Sequence, residues 1–403
     1  MSWQEIALGS AIHVKHGYAF KGEFFADHGE FIVLTPDNFN EEGGFRIRPE
    51  KDRAYTGDIP EAYVLDENDL ILAMTEQGAG LLGSAALVPE ANRYLHNQRL
   101  GLVDQIDATV LDKKFLYLLF NSRSVRAQIS GSASGTKVRH TAPERIYRVR
   151  VRAPDVAAQS RIAETILAYD ALIENNRRRM TLLEESARHL YHEWFVRLRF
   201  PGYEHTRIVD GVPKGWKSKK LGDVAHVNKT NLSGTFDGDI EYIDIASVTP
   251  GSINETTPYV FRDAPSRARR VVRHGDIIWS CVRPNRRSHA VVWRPPENLV
   301  ASTGFAVISS IALPPSFLYQ ALTTDLFVGY LENHAKGAAY PAVVSGDFER
   351  AEVLVPPPAL LAVFDEFAEP HLSQMNNLRS QNQKLRAARD LLLPRLMSGE
   401  IVV

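Results

Sequence analysis

One stretch of the sequence is rich in side chains that bind phosphate and the edges of nucleic-acid bases. Between Arg262 and Arg294 there are nine arginines and no lysine, and the only acids are Asp263 and Asp276. The planar guanidinium of arginine can hold a phosphate, or the O6 and N7 atoms of guanine, through two hydrogen bonds, and asparagine can bind adenine similarly. The stretch therefore indicates contact with nucleic acid. Its candidate contacts are Arg283, Asn285, Arg286 and Arg287.

These four residues follow a predicted strand at residues 276–281, which would hold their loop in place. A loop at the end of a strand is well placed to enter a major groove, and its charge would add a salt-dependent attraction to phosphates. We add Lys336 and Tyr340, on either side of Gly337, as further candidate contacts in this half of the chain.

A second basic stretch lies in the first half of the chain, from Arg123 to Arg152. Small residues at 131–135 let the backbone approach a phosphate closely, and basic side chains follow them. A solvated basic face would explain either stretch alone, but two stretches at corresponding places in a chain of net charge −1 favour duplex DNA as the ligand. The candidate contacts in this half are Thr75, Gln77, Lys137, Arg139 and His140.

Signatures of catalysis are missing from the sequence. It has no GxxxxGK[ST] phosphate loop, and no GxGxxG or Asn/Asp-Pro-Pro-aromatic motif that would point to an adenosylmethionine-dependent methyltransferase on this chain. His189 and His192 stand three residues apart without a second pair of ligands, so a structural role is favoured over metal binding. Cys281 is the only cysteine, which excludes a zinc site built from cysteines. We expect no catalytic residue and no metal site.

The sequence repeats itself at about half its length, which indicates an internal duplication. Five short matches occur in the same order in both halves, and the last three share one offset. Each half therefore reads as a globular region followed by a long helix. The matches pair Trp3 with Trp216, residues 68–72 with 275–279, 115–118 with 317–320, Gly135 with Gly337, and 150–154 with 352–356.

Both globular regions have the pattern of β-rich α+β domains. Short apolar runs bounded by Gly, Pro, Asn and Asp are typical of strands, and each region also contains a segment with the length and composition of a helix. The predicted fold class is therefore α+β. The predicted strands are 31–34, 70–74, 147–151, 240–245, 276–281, 290–293 and 305–308, and the predicted helices within the regions are 113–126 and 316–333.

Residues 156–199 carry seam side chains at alternating steps of four and three, the pattern of a coiled coil. No Pro or Gly interrupts them, and Asp155 is the predicted N-cap. The helix would be roughly 65 Å long, which suits a spacer better than a core helix of one large domain. Its seam is Ile162, Ile166, Ile173, Asn176, Met180, Leu183 and Leu190.

A second helix with a matching seam is predicted at residues 359–397, where Pro370 should kink or split it. Two such helices in a duplicated chain favour an antiparallel coiled coil with pseudo-two-fold symmetry, in which buried asparagines fix the register. Two unrelated amphipathic helices on separate cores are the alternative. The second seam is Met375, Leu378, Asn382, Leu385 and Leu392.

The length of 403 residues predicts two or three domains, and contents of 44% hydrophobic and 24% charged residues are ordinary for a globular protein. The first residues lack the basic and apolar regions of a signal peptide, and no apolar run approaches the ~20 residues of a membrane span. We therefore expect a soluble, cytoplasmic protein without a membrane partner.

Several stretches together resemble a known family, the specificity subunits of type I restriction-modification systems. The resemblance covers nearly the whole chain. Its motifs include QSRIA at 159–163, PKGW at 213–216 and LLLPRLMSGE at 391–400. The further stretches are 183–202, 221–223, 275–287 and 302–306.

The resemblance implies two target-recognition domains, at residues 1–152 and 203–355, each reading one half of a split site in double-stranded DNA. It implies that helical regions at 153–202 and 356–403 form an antiparallel coiled coil, which sets the gap between half-sites and docks two methyltransferase subunits. Adenosylmethionine would bind those subunits, and ATP with Mg²⁺ would serve a restriction and translocation subunit. No cofactor is expected on this chain itself.

The interpretation that follows is a non-enzymatic subunit that gives a larger complex its DNA specificity. The rival is an assembly scaffold that binds proteins through the coiled coil and whose basic stretches are incidental. A stand-alone nuclease or methyltransferase would need a catalytic cluster that the sequence does not contain.

Overall fold

The structure, a computed structural model, describes residues 3–77 and 80–402. The predicted domain limits at residues 1 and 403 therefore lie outside the described residues. The predicted fold class, α+β, is confirmed. The chain forms two compact units, of which unit 1 comprises residues 1–172 and 385–403 and unit 2 comprises residues 173–384. The division falls inside both long helices, so each unit contains a segment of each.

Unit 1 contains the first β-rich region, whose helices are α1 (Lys113–Asn121), α2 (Arg123–Gly131), α3 (Pro143–Ile146) and the start of α4 (Val156–Tyr191). Its largest antiparallel sheet has the order β2-β10-β6-β8, and a second sheet has the order β3-β5-β4-β9. The strands are β1 (Gln4–Ala7), β2 (Ile12–His16), β3 (Phe25–Ala26), β4 (Phe31–Val33), β5 (Ala54–Tyr55), β6 (Leu70–Ala73), β7 (Thr75–Glu76), β8 (Ala85–Leu87), β9 (Tyr94–Leu95), β10 (Leu100–Ile106), β11 (Arg139–His140) and β12 (Arg150–Ala153).

Unit 2 contains the second β-rich region, whose helices are α5 (Leu221–Val224), α6 (Pro315–Ala321), α7 (Asp325–His334), α8 (Ser345–Arg350) and most of α9 (Pro358–Ser398). The strands are β13 (Ile208–Val209), β14 (Val212–Pro213), β15 (Lys217–Lys220), β16 (Ala225–Val227), β17 (Asp239–Ile243), β18 (Val248–Thr249), β19 (Ser252–Ile253), β20 (Thr257–Val260), β21 (Ala268–Val271), β22 (Ile277–Ser280), β23 (His289–Val291), β24 (Leu299–Ser302), β25 (Phe305–Ser310) and β26 (Glu352–Val355).

The two β-rich regions share the strand order of their four-stranded antiparallel sheet and a parallel strand pair in a second sheet. The antiparallel sheet of unit 2 has the order β16-β25-β22-β23, which repeats β2-β10-β6-β8 of unit 1 strand for strand. A parallel pair lies at the centre of a second sheet in unit 2, β17 with β24, and its counterpart in unit 1 is β4 with β9. The repeat found in the sequence therefore corresponds to a repeated fold.

The central strands β6 and β22 are buried on both faces. Along β6, Leu70 and Leu72 point into one hydrophobic cluster, whereas Ile71 points into another. Along β22, Trp279 and Ile278 likewise face different clusters. Because successive side chains of a strand alternate between its faces, such a continuous apolar run indicates a strand between two cores. The loop that follows each strand therefore begins from a fixed point.

Two predicted helices are wrong in their extent. Residues 113–126 form α1 and α2, because the side chain of Ser122 accepts a hydrogen bond from the amide of Val125 and starts a new helix. Residues 316–333 form α6 and α7 for the same reason, with Thr324 capping α7. A hydroxyl that satisfies free amides at a helix start favours such a break. The predicted strand at 147–151 is also misplaced, since strand β12 begins at Arg150.

Helix α4 begins as predicted, because the carboxylate of Asp155 accepts a hydrogen bond from the amide of Ala158 at 2.9 Å. It ends earlier than predicted, at Tyr191, and a π-helical turn follows at His192–Val196. This turn aims the buried side chain of Phe195 at Phe364, with 5.2 Å between ring centroids. Packing of an aromatic cluster thus changes the helix over its last turns.

Helix α9 runs unbroken for 41 residues through Pro370, so the predicted split at this proline is wrong. The proline is exposed, which keeps its ring away from the packed face. One turn earlier, the carbonyl of Phe367 lies 2.6 Å from Nδ1 of His371.

Among the residues that the structure describes, no helix combines the length and the apolar character that a membrane span requires.

Helices α4 and α9 contact each other within each unit, and the contacts of unit 2 show that they are antiparallel there. In unit 1, Asp170 forms an ion pair with Arg389 at 2.6 Å. In unit 2, Tyr191 packs near Phe364, and Asn176 donates a hydrogen bond to the side-chain oxygen of Asn382 at 2.9 Å. The residue number on one helix rises as that of its partner falls, which defines the orientation.

The predicted seam residues lie on the packed side of both helices. Seven are buried: Ile162, Ile166, Ile173, Asn176, Met375, Leu378 and Asn382. The other five are half-buried: Met180, Leu183, Leu190, Leu385 and Leu392.

Substitution of Asn176 by alanine tests the buried polar pair. The change leaves Oδ1 of Asn382 without its donor in a seam where both residues are less than 8% exposed. We expect the free energy of unfolding to fall by about 1–3 kcal/mol, measured by chemical denaturation. The control is Leu182→Ala on the same helix, which is 65% exposed and should change stability by less than about 0.5 kcal/mol. Equal effects of the two substitutions would contradict the prediction.

Candidate nucleic-acid interface

The arginine-rich loop of unit 2 follows the buried strand β22 directly. It comprises residues 282–288, and we call it the arginine loop. The amide of Cys281, at the end of the strand, donates to the carbonyl of Gly304 at 2.8 Å, and the carbonyl of Cys281 accepts from the amide of Val343 at 2.9 Å. These backbone bonds fix the start of the loop on both sides.

A hairpin from residue 336 to residue 342 flanks the arginine loop. The amide and carbonyl of Lys336 both bond to Ala342, at 2.9 Å each. Gly337 has φ +105°, a conformation that L side chains rarely adopt. The amide of Arg283 donates to the carbonyl of Pro341 at 2.7 Å, so the hairpin and the arginine loop are joined through their backbones.

Two arginines hold the arginine loop in shape. Arg283 and Arg287 both have positive φ, 51° and 52°, at the two ends of the turn Pro284–Arg286. The guanidinium of Arg283 lies 4.5 Å from the centre of the Tyr340 ring, a cation–π contact. Arg287 donates to the carboxylate of Asp325 at 2.5 Å, and this hydrogen bond and the positive charge lower the pKa of Asp325. Both side chains therefore have partners within the protein.

The side chains of Asn285 and Arg286, at the tip of the arginine loop, are exposed. Neither makes a hydrogen bond or ion pair with any residue that the structure describes. Lys336 is exposed on the hairpin, and the Tyr340 ring is 69% exposed. Of the six residues predicted in unit 2, Asn285, Arg286 and Lys336 are thus available to a ligand, and Tyr340 presents the free face of its ring.

Neutral groups lie beneath the arginine loop. Burial, together with the nearby charge of Arg287, lowers the pKa of His289 to about 4. Burial raises the pKa of the Cys281 thiol to about 11. Both groups are therefore uncharged near neutral pH, and the positive charge of this surface comes from its arginines and from Lys336. Within residues 3–77 and 80–402, no group of three or more His, Cys, Asp or Glu side chains is arranged to hold a metal ion.

Unit 1 has the same arrangement at the end of β6. The amide of Met74 donates to the carbonyl of Arg99 at 3.0 Å, and its carbonyl accepts from the amide of Thr141 at 2.9 Å. A hairpin from residue 134 to residue 140 flanks the loop, and Gly135 has φ +96° at the position that corresponds to Gly337. A Cβ atom on Gly135 would overlap the carbonyl oxygen of Val138, so the hairpin requires glycine there.

The loop of unit 1 is held by a buried carboxylate. Glu76 is 4% exposed, and its Oε2 accepts hydrogen bonds from the amides of Gly80, Leu81 and Leu82 at 2.8–3.1 Å. Its Oε1 accepts from Arg139 at 3.1 Å. A carboxylate buried at this depth is stable only when its oxygens are bonded, and here both are. The carboxylate thereby fixes the loop against the hairpin.

Arginines complete the support of this loop. Arg139 also donates to the carbonyl of Ser130 at 2.5 Å. Arg126 donates to the carbonyls of Leu82, Glu41 and Gly80, and burial lowers its pKa. The predicted contact Arg139 therefore has its guanidinium engaged inside unit 1.

A cleft of about 280 Å³ lies between the loop and the hairpin of unit 1. Thr75, Gln77 and His140, three of the predicted contacts, line it. Lys137 is exposed on the hairpin and does not line the cleft. Sequence reasoning missed Arg99, an exposed residue of the turn between β9 and β10 that also lines the cleft. Little in the sequence indicates Arg99, because this arginine stands alone outside both basic stretches.

Substitution of Glu76 by glutamine tests the support of the loop. The change places an amide group where only an acceptor fits, against either the three backbone amides or Arg139. We expect a loss of about 1–3 kcal/mol in the free energy of unfolding and faster hydrogen exchange at residues 80–82. Glu90→Gln is the matched control, since Glu90 is 57% exposed and pairs with the exposed side chain of Arg93. Unchanged exchange at residues 80–82 would show that the carboxylate does not hold the loop.

Comparisons with known proteins identify relatives of both units. Residues 1–185 match the family described as the type I restriction modification DNA specificity domain. The specificity subunit of the type I restriction enzyme MjaIX from Methanocaldococcus jannaschii is 23% identical over 301 residues, which cover 72% of this chain and 69% of that protein. The specificity subunit of the HindI enzyme from Haemophilus influenzae is 26% identical over 151 residues, 35% of this chain and 32% of that protein.

A solved structure has the same fold. It is the S subunit of a type I restriction-modification system from M. genitalium, with a TM-score of 0.65 and 16% sequence identity. The alignment covers 98% of this chain and 96% of that one. At this identity the likeness establishes the fold, and the residues of the site are argued from this chain alone.

Proposed function

We propose how this chain, a member of the family of type I restriction-modification specificity subunits, recognises DNA. Each β-rich region reads one half of a bipartite site in double-stranded DNA with the loop that follows its central strand and with the adjacent hairpin. The observation that carries the proposal is the repeated construction: a strand buried on both faces, a loop fixed by backbone bonds, and exposed polar side chains at its tip.

In unit 2, we assign base contact to Asn285 and Arg286. Their side chains are exposed and make no hydrogen bond or ion pair with the described residues, and they are flanked by two arginines that hold the turn rigid. Arginine recognises guanine and asparagine recognises adenine by paired hydrogen bonds in the major groove. Lys336 is assigned to a phosphate, whereas Arg283 and Arg287 are assigned mainly to positioning, since both already contact the protein.

In unit 1, we assign base contact to Thr75, Gln77 and His140, which line one cleft. Lys137 is exposed on the hairpin, close after Gly135, and suits a phosphate contact. Arg139 is assigned to positioning, because Glu76 and the carbonyl of Ser130 already occupy its guanidinium. Since the two loops differ in sequence, the two half-sites should differ as well.

We further propose that helices α4 and α9 form a spacer, arranged with pseudo-two-fold symmetry, that sets the distance between the half-sites. The same helices would dock two methyltransferase subunits. A docked subunit would cover exposed apolar side chains on the helices. They are Leu172, Leu182, Val363, Phe367 and Leu391.

Catalysis is assigned to the partners and not to this chain. The methyltransferase subunits would bind adenosylmethionine, and a restriction subunit would use ATP and Mg²⁺. The proposed recognition domains remain residues 1–152 and 203–355, and the proposed spacer helices remain residues 153–202 and 356–403. The proposed location is the cytoplasm, because duplex DNA is the ligand.

The rival function, a scaffold without sequence preference, predicts equal binding of a selected site and of random duplex in a gel-shift competition with the methyltransferase present.

Substitution of Arg286 by alanine tests direct reading by the arginine loop. Loss of a paired hydrogen bond to a base should cost about 1–3 kcal/mol of binding free energy and relax one position of one half-site. The measurement is selection of bound sequences from a randomised duplex library by the assembled complex.

The control for this substitution is Arg262→Ala, which removes an exposed arginine that pairs with Asp263 outside the arginine loop. It should leave the selected site unchanged. If Arg286→Ala weakens binding equally on every sequence, then Arg286 contacts a phosphate and does not read a base.

Lengthening both helices tests the spacer. Seven residues inserted after Leu172 and seven after Lys384 extend the pair between the Asp170–Arg389 and Asn176–Asn382 contacts. We expect the gap to grow by about 10 Å, roughly three base pairs of B-DNA, while both half-sites keep their sequences. Mapping of methylated adenines in cells that carry the complete system measures the gap.

The control insertion adds two residues at each of the same places. It turns the seam by roughly 200° and should abolish helix pairing and methylation. A gap that stays unchanged after the seven-residue insertions would mean that the helices pack without measuring distance.

A further inference from the structure

Arg99 is a cation in the unit 1 cleft to which neither the two basic stretches nor the family resemblance assigns a role. It lies in the turn between β9 and β10 and lines the cleft together with Thr75, Gln77 and His140. Its side chain is exposed and makes no hydrogen bond or ion pair with any residue that the structure describes. It is therefore a donor group held at the cleft and available to a ligand.

The backbone of Arg99 is fixed at the root of the recognition loop. Its carbonyl accepts from the amide of Met74 at 3.0 Å, and its own amide donates to the side chain of Asn97 at 3.1 Å. Met74 is the residue that joins the buried strand β6 to the loop. The guanidinium thus projects from a rigid turn, so little backbone freedom is lost when it binds.

The acids that line the cleft do not neutralise Arg99. The carboxylate of Asp37 pairs with Arg48 at 2.8 Å. The carboxylate of Glu76 is bonded to Arg139 and to the backbone amides of residues 80–82. Both negative charges are satisfied by other partners, so the cleft keeps an unpaired guanidinium beside the amide of Gln77 and the ring of His140.

In unit 2, the position that corresponds to Arg99 carries no side chain. The residue whose carbonyl bonds to the end of the central strand there is Gly304, the counterpart of Arg99. A Cβ atom on Gly304 would overlap Cδ1 of Ile245, so a side chain here would require Ile245 to move. Unit 2 carries its exposed arginine on the loop, at Arg286, whereas the described loop residues of unit 1 contain no arginine. Each unit therefore presents an exposed, unpaired arginine beside its central strand, from a different element.

We propose that Arg99 is a base-reading residue of unit 1 and that it recognises a guanine in the first half-site through the O6 and N7 atoms. The proposal rests on the proposed function and adds one residue and one base to it. Gln77 and His140 would contact the neighbouring positions, because they line the same cleft. The flat, forked guanidinium suits this edge of guanine, which presents two acceptors side by side.

The test compares bound sequences selected from a randomised duplex library by the full chain assembled with its methyltransferase partner. For Arg99→Ala we expect one guanine of one half-site to lose its preference by about 5- to 150-fold, the equivalent of 1–3 kcal/mol. The other half-site should stay unchanged. Arg99→Lys keeps the charge but not the fork, so it should recover affinity and not the guanine preference.

Two further variants make the result specific to this residue. Arg93→Ala removes an arginine of the preceding turn that pairs with Glu90, and it should leave the whole site unchanged. Arg286→Ala should relax only the other half-site. The melting temperature of the Arg99 variants should equal that of the parent chain, because the side chain has no partner to lose.

Two results would overturn the assignment of Arg99. Equal weakening on all sequences with full recovery in Arg99→Lys would make it a phosphate contact, and an unchanged site would exclude it from the interface. In both cases a relaxed half-site in Arg286→Ala would leave the proposed function standing. Equal binding of all sequences by the parent complex would instead refute the proposed function, and the role of Arg99 with it.

Discussion

Burial of one strand on both of its faces is the constraint on which each proposed recognition surface depends. Strands β6 and β22 lie between two hydrophobic clusters, so neither can shift or turn without opening both. The residue after each strand, Met74 or Cys281, is held by backbone bonds to a neighbouring turn and to a hairpin. These bonds do not involve side chains. The scaffold can therefore keep its geometry while the side chains of the loop change, as a protein that must read different sequences requires.

The two units fix their loops with different chemistry on the same scaffold. In unit 1 a buried carboxylate, Glu76, accepts hydrogen bonds from three successive amides, and Arg139 compensates its charge. In unit 2 two arginines in left-handed conformation close the ends of a short turn, one over the ring of Tyr340 and one against Asp325. An acid close to the proposed DNA-binding surface is tolerable in unit 1 because its charge is neutralised locally.

The sequence was most informative where a signal was periodic. The seam of α4 and α9 and the duplication follow from repeated spacing, and the α+β class follows from apolar runs bounded by turn residues. The helix breaks at Ser122 and Thr324 instead depend on single capping hydroxyls that such patterns do not reveal. The arginine loop was found from its composition. Composition could not separate Arg286 from its neighbour Arg287, because the difference lies in backbone conformation and in a partner, Asp325, that is distant in the sequence.

The distinction between supporting and exposed arginines also decides what the charge of this surface can do. Arg269 lies over the ring of Phe261 and Arg270 donates to Asn231, so these two side chains, like those at the ends of the arginine loop, already have partners in the protein. The salt dependence of DNA binding follows the number of phosphates neutralised. A count of nine arginines therefore overstates the electrostatic contribution. In the proposed function, specificity depends on the few side chains that the fold leaves unpaired on a rigid loop.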